Sequence, residues 1–339
     1  MTVEAHVETD KPPIRWGILG AGHIARDFVA DLLLLADQKP AAVGSRSSGR
    51  AQQFAADYGM EKSYGSYAAL AADDSLDVVY VATPHSEHYE AARLCLEAGR
   101  AVLVEKPFTV TAAETARLIA LATSQRLFAM EAMWTRFNPI VREVTDLVRG
   151  GAIGRITSVQ ADLSGAPGYN PADRRWDPAR GGGALLDLGV YLVSFGSMLL
   201  GPPDQIRTVS TAAPTGVDAN TAMIARYPGG AVGLYHCGLW ANSPQLATIT
   251  GAGGTVTVGT PFYQPDSFTL ISAAGEPRTK QITLHGGGFT YEAAEVARCL
   301  RAGLTESPLM PLAGTLEVMR VLDAARASSG SIEAQHGVK

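Results

Sequence analysis

The chain has 339 residues, 46% of them apolar and 18% charged, with a formal net charge of −5. That length suits about two domains with a sizeable core. The lack of any basic stripe argues against nucleic acid as a partner, and no apolar run is long enough to span a bilayer.

Residues 1–12 read as a loose polar tail without the apolar core of a secretory signal. Ile14, Trp16, Ile18 and Leu19 then form a buried strand. Gly20-Ala21-Gly22 is a turn with little side chain, and from Ile24 the apolar residues recur at helical spacing through Phe28, Leu32 and Leu35. Gly20-x-Gly22-x-x-Ala25 is the dinucleotide fingerprint with Ala in third place. Gly20 permits the turn, Gly22 lets backbone approach a pyrophosphate, and Ala25 keeps helix and strand close. The helix N-terminus offers free N–H groups to the phosphates. A second strand, Ala41–Gly44, ends in Ser45-Arg46, with Arg50 a turn further on. An NAD site usually has Asp or Glu there for the 2′-hydroxyl. An arginine in its place can pair with a 2′-phosphate, so the expected cofactor is NADP(H).

Further strands are expected at 77–82, 101–104 and 127–130, alternating with helices at 50–58, 87–98 and 111–124. That alternation means a parallel, doubly wound α/β sheet with its ligand at the carboxyl ends of the strands. The residues just after the strands are Thr83-Pro84-His85, Glu105-Lys106-Pro107 and Glu131–Phe137. The domain is bounded at 13–136.

From 137 to 339 the pattern changes to α+β. A helix at 139–149 and a strand at 156–163 precede a loop rich in Gly, Pro, Asp and Arg (164–180). One apolar helix is expected over 184–200. Strands and turns follow, with a hairpin at Tyr227–Ala231 and helices at 291–300 and 312–327, the last packing back on the first domain. This gives a large, mostly antiparallel, open-faced sheet with helices on one side. A second copy of the chain is the simplest cover for the other face, so a homodimer is expected.

Lys106 is the first chemical candidate, and its bond to Pro107 is a candidate cis peptide. Asp187 and Tyr191, four apart on one helix, form the second. If Lys106 meets them, its ammonium should lower the Tyr191 phenol pKa, while Asp187 orients. The phenol would exchange a proton with a carbinol oxygen as hydride moves. His85 and His88 have His-x-x-His spacing but no third ligand; they are assigned to the cofactor, and no metal is expected. Trp134 and Arg136 read as alternating neighbours, the indole walling the nicotinamide or substrate and the guanidinium touching cofactor. The expected cofactor contacts are thus Gly20, Gly22, His23, Ile24, Ala25, Ser45, Arg46, Arg50, Thr83, Pro84, His85, His88, Glu105, Lys106, Trp134 and Arg136. Cys95, Cys237 and Cys299 form neither a metal pair nor a disulfide framework, which suits a reducing cytoplasm.

These motifs, with Gly182-Gly183-x-x-x-Asp187-x-Gly189-x-Tyr191, resemble the glucose–fructose oxidoreductase/inositol dehydrogenase/MocA-type family over nearly the whole chain. Met130–Phe137, Thr215–Asp218 and Tyr227–Gly230 are similar to the branch containing dimeric dihydrodiol dehydrogenases and NADP-dependent D-xylose dehydrogenases. The resemblance implies a Rossmann domain plus a dimerising sheet domain. It also implies that Lys106 and Tyr191 match the catalytic pair with Asp187 in support. The expected activity is hydride transfer between NADP(H) and a secondary alcohol or carbonyl of a sugar or vicinal diol. A non-catalytic NADP(H) sensor, or a sugar–sugar oxidoreductase that retains its nucleotide, are the alternatives.

Overall fold

The computed structural model describes residues 11–273 and 275–331; most of the expected tail lies outside them. The first sheet has six parallel strands: β1 (Ile14–Leu19), β2 (Gln38–Gly44), β3 (Lys62–Tyr64), β4 (Val78–Val81), β5 (Ala101–Glu105) and β6 (Ala129–Ala132), in the order β3-β2-β1-β4-β5-β6. β4 and β5 are buried along their whole length, as strands covered by helices on both faces must be. The helices are α1 (His23–Leu32), α2 (Ser48–Tyr58), α3 (Tyr67–Ala71), α4 (His88–Glu97) and α5 (Ala112–Gln125). Ser47 and Thr111 cap α2 and α5 through their hydroxyls. The last strand begins two residues later than the sequence suggests. Arg126, at φ 53°, ends α5 in the left-handed region, and the Leu127 N–H is still bonded to the Ala122 carbonyl.

The second sheet contains β7 (Ile156–Ser164), β8 (Gln205–Ala212), β9 (Asp218–Arg226), β10 (Val232–Gly238), β11 (Ala247–Gly251), β12 (Gly254–Val258), β13 (Ser267–Ser272), β14 (Arg278–Gln281) and β15 (Ser329–Ser331). Their order is β14-β13-β12-β11-β7-β10-β9-β8-β15, antiparallel except for β7–β10 and β8–β15. On β10, Tyr235 and Cys237 are buried while Leu234 and His236 are exposed, the strict alternation of a sheet covered on one side. The open side carries Ile224, Leu234 and Leu246 around a shallow hollow of ≈ 440 Å³.

The covered side meets α6 (Pro139–Arg149), α7 (Val190–Leu200) and α9 (Leu312–Ser328), while α8 (Phe289–Arg301) packs on α1 and the Trp134–Phe137 turn. The single helix expected over 184–200 is interrupted. Leu185–Gly189 forms a wide π turn, and the regular α-helix begins only at Val190. The stretch Pro178–Leu200 is long and apolar enough to cross a membrane, but 72% of the apolar 18-residue segment within it is buried inside the protein.

Contacts away from the crevice help tie the halves together. Asp31 on α1 accepts the N–H groups of Gly287 and Phe289 at 2.7 Å each, capping α8 from the other domain. Arg301 pairs with Asp37. α9 lies against α5, and Asp323 accepts the Ala112 N–H at 2.8 Å.

Candidate active site

The Gly20 turn is shaped as the fingerprint requires. Gly20 has φ +112°, and a Cβ there would lie 2.6 Å from the Ala82 carbonyl oxygen at the end of β4. Gly22 precedes α1 with no side-chain cap and open space around it, and no acidic residue occupies the first turn. Ala25 is buried, Ile24 half-buried, and His23 exposed beside Asp27 at 3.7 Å. These features fit a dinucleotide phosphate, with the first turn of α1 open to receive it.

At the end of β2, Ser45 is buried and accepts the Ser47 N–H. Arg46 and Arg50 are exposed. Arg46 is ion-paired with Glu87 at 2.8 Å and lies over the Tyr67 ring, a partnership between distant segments that the sequence does not announce. After β4, the Thr83 hydroxyl is buried without a partner among the described residues, and the Pro84 carbonyl accepts the Glu87 N–H at the start of the next turn.

Lys106 ends β5, and its bond to Pro107 is cis. Its ammonium donates to the Asp187 backbone oxygen at 2.8 Å and to Asp187 Oδ1 at 3.3 Å, and stands 4.7 Å from the Tyr191 ring centroid. The three residues expected to act together therefore meet in one crevice. The π turn lets Asp187 present both its carboxylate and its carbonyl to the lysine, a local widening recurrent at functional sites. It is fixed from behind by Asp218, which accepts the Leu185 N–H at 2.7 Å. Gly183 (φ +115°) permits this, since a Cβ there would fall 2.2 Å from Asp218 Oδ1.

Two further groups share Asp187. Arg174, from the 164–180 loop, reaches Oδ1 at 3.3 Å, and His85 Nε2 lies 3.6 Å away. Burial would push the Asp187 carboxyl up, but Lys106 and Arg174 outweigh it and hold it well below the usual carboxylate range. Burial pushes His85 down to about 3, against the pull of Asp187, so the ring is neutral at pH 7. With its proton on Nδ1 it donates to the Gly181 carbonyl at 3.1 Å, leaving Nε2 to accept from Arg174 at 3.4 Å.

The Tyr191 phenol departs from expectation. Burial, followed by the nearby Glu105 carboxyl, raises its pKa well above the usual value. Lys106 lies over the ring rather than at the hydroxyl, so the expected lowering does not occur in this arrangement. The hydroxyl oxygen instead accepts from Trp134 Nε1 at 2.8 Å. The Tyr191 proton has no acceptor among the described residues.

Three side chains expected at the cofactor are engaged elsewhere. Glu105 is buried, accepting from the Tyr80 hydroxyl at 2.5 Å and from the Lys106 N–H at 3.1 Å. His88 sits between the carbonyls of Thr83 (2.9 Å) and Pro107 (2.8 Å), tying the ends of β4 and β5. Arg136 donates from Nε to Ser194 Oγ at 2.9 Å and from Nη2 to the Ser194 carbonyl. Trp134 and Arg136 diverge because Trp134–Phe137 is a 3-10 turn, not the strand that alternation implied.

The sequence reading also missed several residues. Phe289 stacks on Trp134 with centroids 4.6 Å apart, and Tyr263 packs 5.5 Å from Tyr191. Arg174 lay in a loop with no motif. Its only signal was a concentration of arginine beside a Gly-rich turn.

The chain belongs to the Gfo/Idh/MocA oxidoreductase family. The model described as "Oxidoreductase family, NAD-binding Rossmann fold" matches residues 14–132, and the "GFO/IDH/MocA C-terminal domain" matches 141–257. Within it, the chain is similar to trans-1,2-dihydrobenzene-1,2-diol dehydrogenase of Mus musculus. The two are 37% identical over 326 residues, 94% of this chain and 97% of the relative. The Homo sapiens enzyme of the same name is likewise 37% identical over 326 residues, with the same coverage of each chain. Among solved structures, KijD10, a 3-ketoreductase from Actinomadura kijaniata in complex with NADP and TDP-benzene, superposes with TM-score 0.83 at 27% identity, covering 94% of this chain and 98% of that one. An aldose-aldose oxidoreductase from Caulobacter crescentus shares the fold, with TM-score 0.85 at 22% identity and 94% and 97% coverage.

A neutral, buried His85 has a pH consequence. Its folded pKa lies below the ordinary value of about 6.5, so the unfolded chain binds a proton that the folded chain refuses. The associated stability is present above about pH 6.5 and is lost as pH falls towards about 3. Urea unfolding at a series of pH values should show wild type losing stability relative to His85→Asn across that window. Parallel curves would mean that His85 is not held neutral.

Proposed function

We propose that this protein is an NADP(H)-dependent oxidoreductase that moves hydride between nicotinamide and a secondary alcohol or carbonyl of a sugar or vicinal diol. The observation that carries this reading is the meeting of Lys106, Asp187 and Tyr191 at the carboxyl end of the sheet that also carries the Gly20 turn. The diol and sugar substrates named for similar proteins support the substrate class.

The cofactor phosphates suit Gly20, Gly22 and the first turn of α1, and a 2′-phosphate suits Arg46 and Arg50. A nicotinamide dinucleotide held there would supply the hydride in its reduced form, NADPH, and take one up in its oxidised form, NADP+, in the opposite direction. The protein's own residues manage the proton. Tyr191, protonated at neutral pH, donates to the substrate oxygen, because Trp134 occupies one lone pair and leaves the phenol proton free. Lys106, pinned by Asp187, holds positive charge beside that oxygen and stabilises the developing alkoxide. Burial within the crevice excludes competing water. The three cysteines are buried thiols, which suits the cytoplasm.

The bare face of the second sheet is the proposed homodimer interface, since exposed apolar rows of this kind mark association surfaces. Leu234, 41% exposed at its centre, is a suitable probe. Leu234→Glu should shift sedimentation from dimer to monomer at micromolar concentration; an unchanged dimer would move the interface elsewhere.

Tyr191→Phe should leave NADPH affinity nearly intact and reduce turnover by about 10²-fold or more, the scale of a lost general acid. Turnover equal to wild type would remove Tyr191 from the chemistry. Arg46→Ala should weaken NADPH by at least about tenfold, the loss of one charge-assisted contact, with little change for NADH. Equal losses for both nucleotides, by fluorescence titration, would refute the 2′-phosphate assignment.

A further inference from the structure

The cleft between α6, α7 and the first turn of α9 takes no part in the site described above. We propose that it binds a phosphate-type dianion carried by a small metabolite.

Its floor is Arg136, only 8% exposed. Ser194 occupies Nε and Nη2, and Nη1 has no acceptor among the described residues. That nitrogen faces the start of α9: a Cβ built on Gly314 would lie 3.9 Å from it. Two more guanidiniums line the cleft, Arg142 and Arg149, seven residues apart and so on one side of α6. Neither has a carboxylate within ion-pair distance among the described residues, and Arg149 donates only to the Met198 carbonyl at 3.1 Å.

Three residues with neutral donors line the same cleft. The Ser197 hydroxyl is buried without a partner among the described residues. At the start of α9, Glu306 accepts the Leu312 N–H at 2.7 Å, and Pro311 accepts the Thr315 N–H. The N–H groups of Ala313 and Gly314 between them find no acceptor among the described residues. Helix N-terminal N–H groups with a guanidinium fork are the donor set that tetrahedral oxyanions require. Asp146 and Glu317 also line the cleft, but the guanidiniums outnumber them. The volume of ≈ 340 Å³, walled on one side by Pro308 and Leu309, leaves room for a small organic body beyond the oxyanion.

Isothermal titration with inorganic phosphate and with glycerol phosphate tests this, run with and without NADPH so that the Arg46 site is filled in one arm. Wild type should bind one anion per chain in the NADPH arm, where the cleft is the site left open. Arg142→Ala/Arg149→Ala should weaken binding by at least about tenfold with NADPH affinity and circular dichroism unchanged. Glu317→Gln should tighten it several-fold, and this variant tests the cleft even if the double variant fails to fold. Tighter binding of the ester than of the free ion assigns the apolar wall to the ligand body; equal binding restricts the site to the ion itself. No saturable binding to wild type, or unchanged affinity in either folded variant, overturns the proposal.

Discussion

The crevice depends on how the charge of Asp187 is balanced. A carboxylate 6% exposed is unstable alone, and burying it is tolerable only with partners of opposite sign. Lys106 supplies one from the end of β5, and Arg174 supplies another from a loop of the second domain. Removing one partner from such a pair generally costs about 3–5 kcal/mol. The Lys106–Asp187 contact therefore joins two domains as well as positioning an ammonium. His85 completes the arrangement by staying neutral. A third cation at Oδ1 is unnecessary, and the free lone pair on Nε2 gives Arg174 an acceptor.

The position of the ammonium decides what Tyr191 can be. A cation over a ring face interacts with the π system and does little to stabilise negative charge on the oxygen. Burial and Glu105 then prevail, and the phenol keeps its proton. Trp134 donates to the oxygen, and Phe289 stacks on Trp134. The Phe289 N–H is held in turn by Asp31 on α1. The orientation of one proton thus traces back through packed rings to the first βα unit, the same unit that carries the Gly20 turn.

Features set by local pattern were legible in the sequence. Val78–Val81 of β4 and residues 101–104 of β5 are unbroken apolar runs, α6 spans its expected bounds, and position at a strand end singled out Lys106. Short, exposed pieces were not legible: β3 is exposed at Lys62 and Ser63, and α3 spans five residues. Neither is long enough to show a period. Contacts between distant segments were equally hidden. Nothing in the sequence places Trp134 at the Tyr191 hydroxyl, Asp31 at the start of α8, or Arg174 on Asp187. The π turn was invisible because apolar spacing over 184–200 is satisfied whether or not one turn widens.

The Arg46–Glu87 pair shows why such a hidden contact matters for the cofactor. A carboxylate does stand near the proposed 2′-phosphate site, brought there by folding rather than by β2. Its pairing is weakly held, since the Arg46 side chain is 60% exposed and solvent-screened pairs contribute little. A phosphate dianion offers the guanidinium a bidentate partner of higher charge. In the proposed NADP(H) complex, where Arg46 would turn to that phosphate, Glu87 is not left bare, because the Tyr67 hydroxyl already lies 3.5 Å from its other oxygen. The proposed exchange would therefore trade a screened surface pair for a stronger one at small cost to the folded chain.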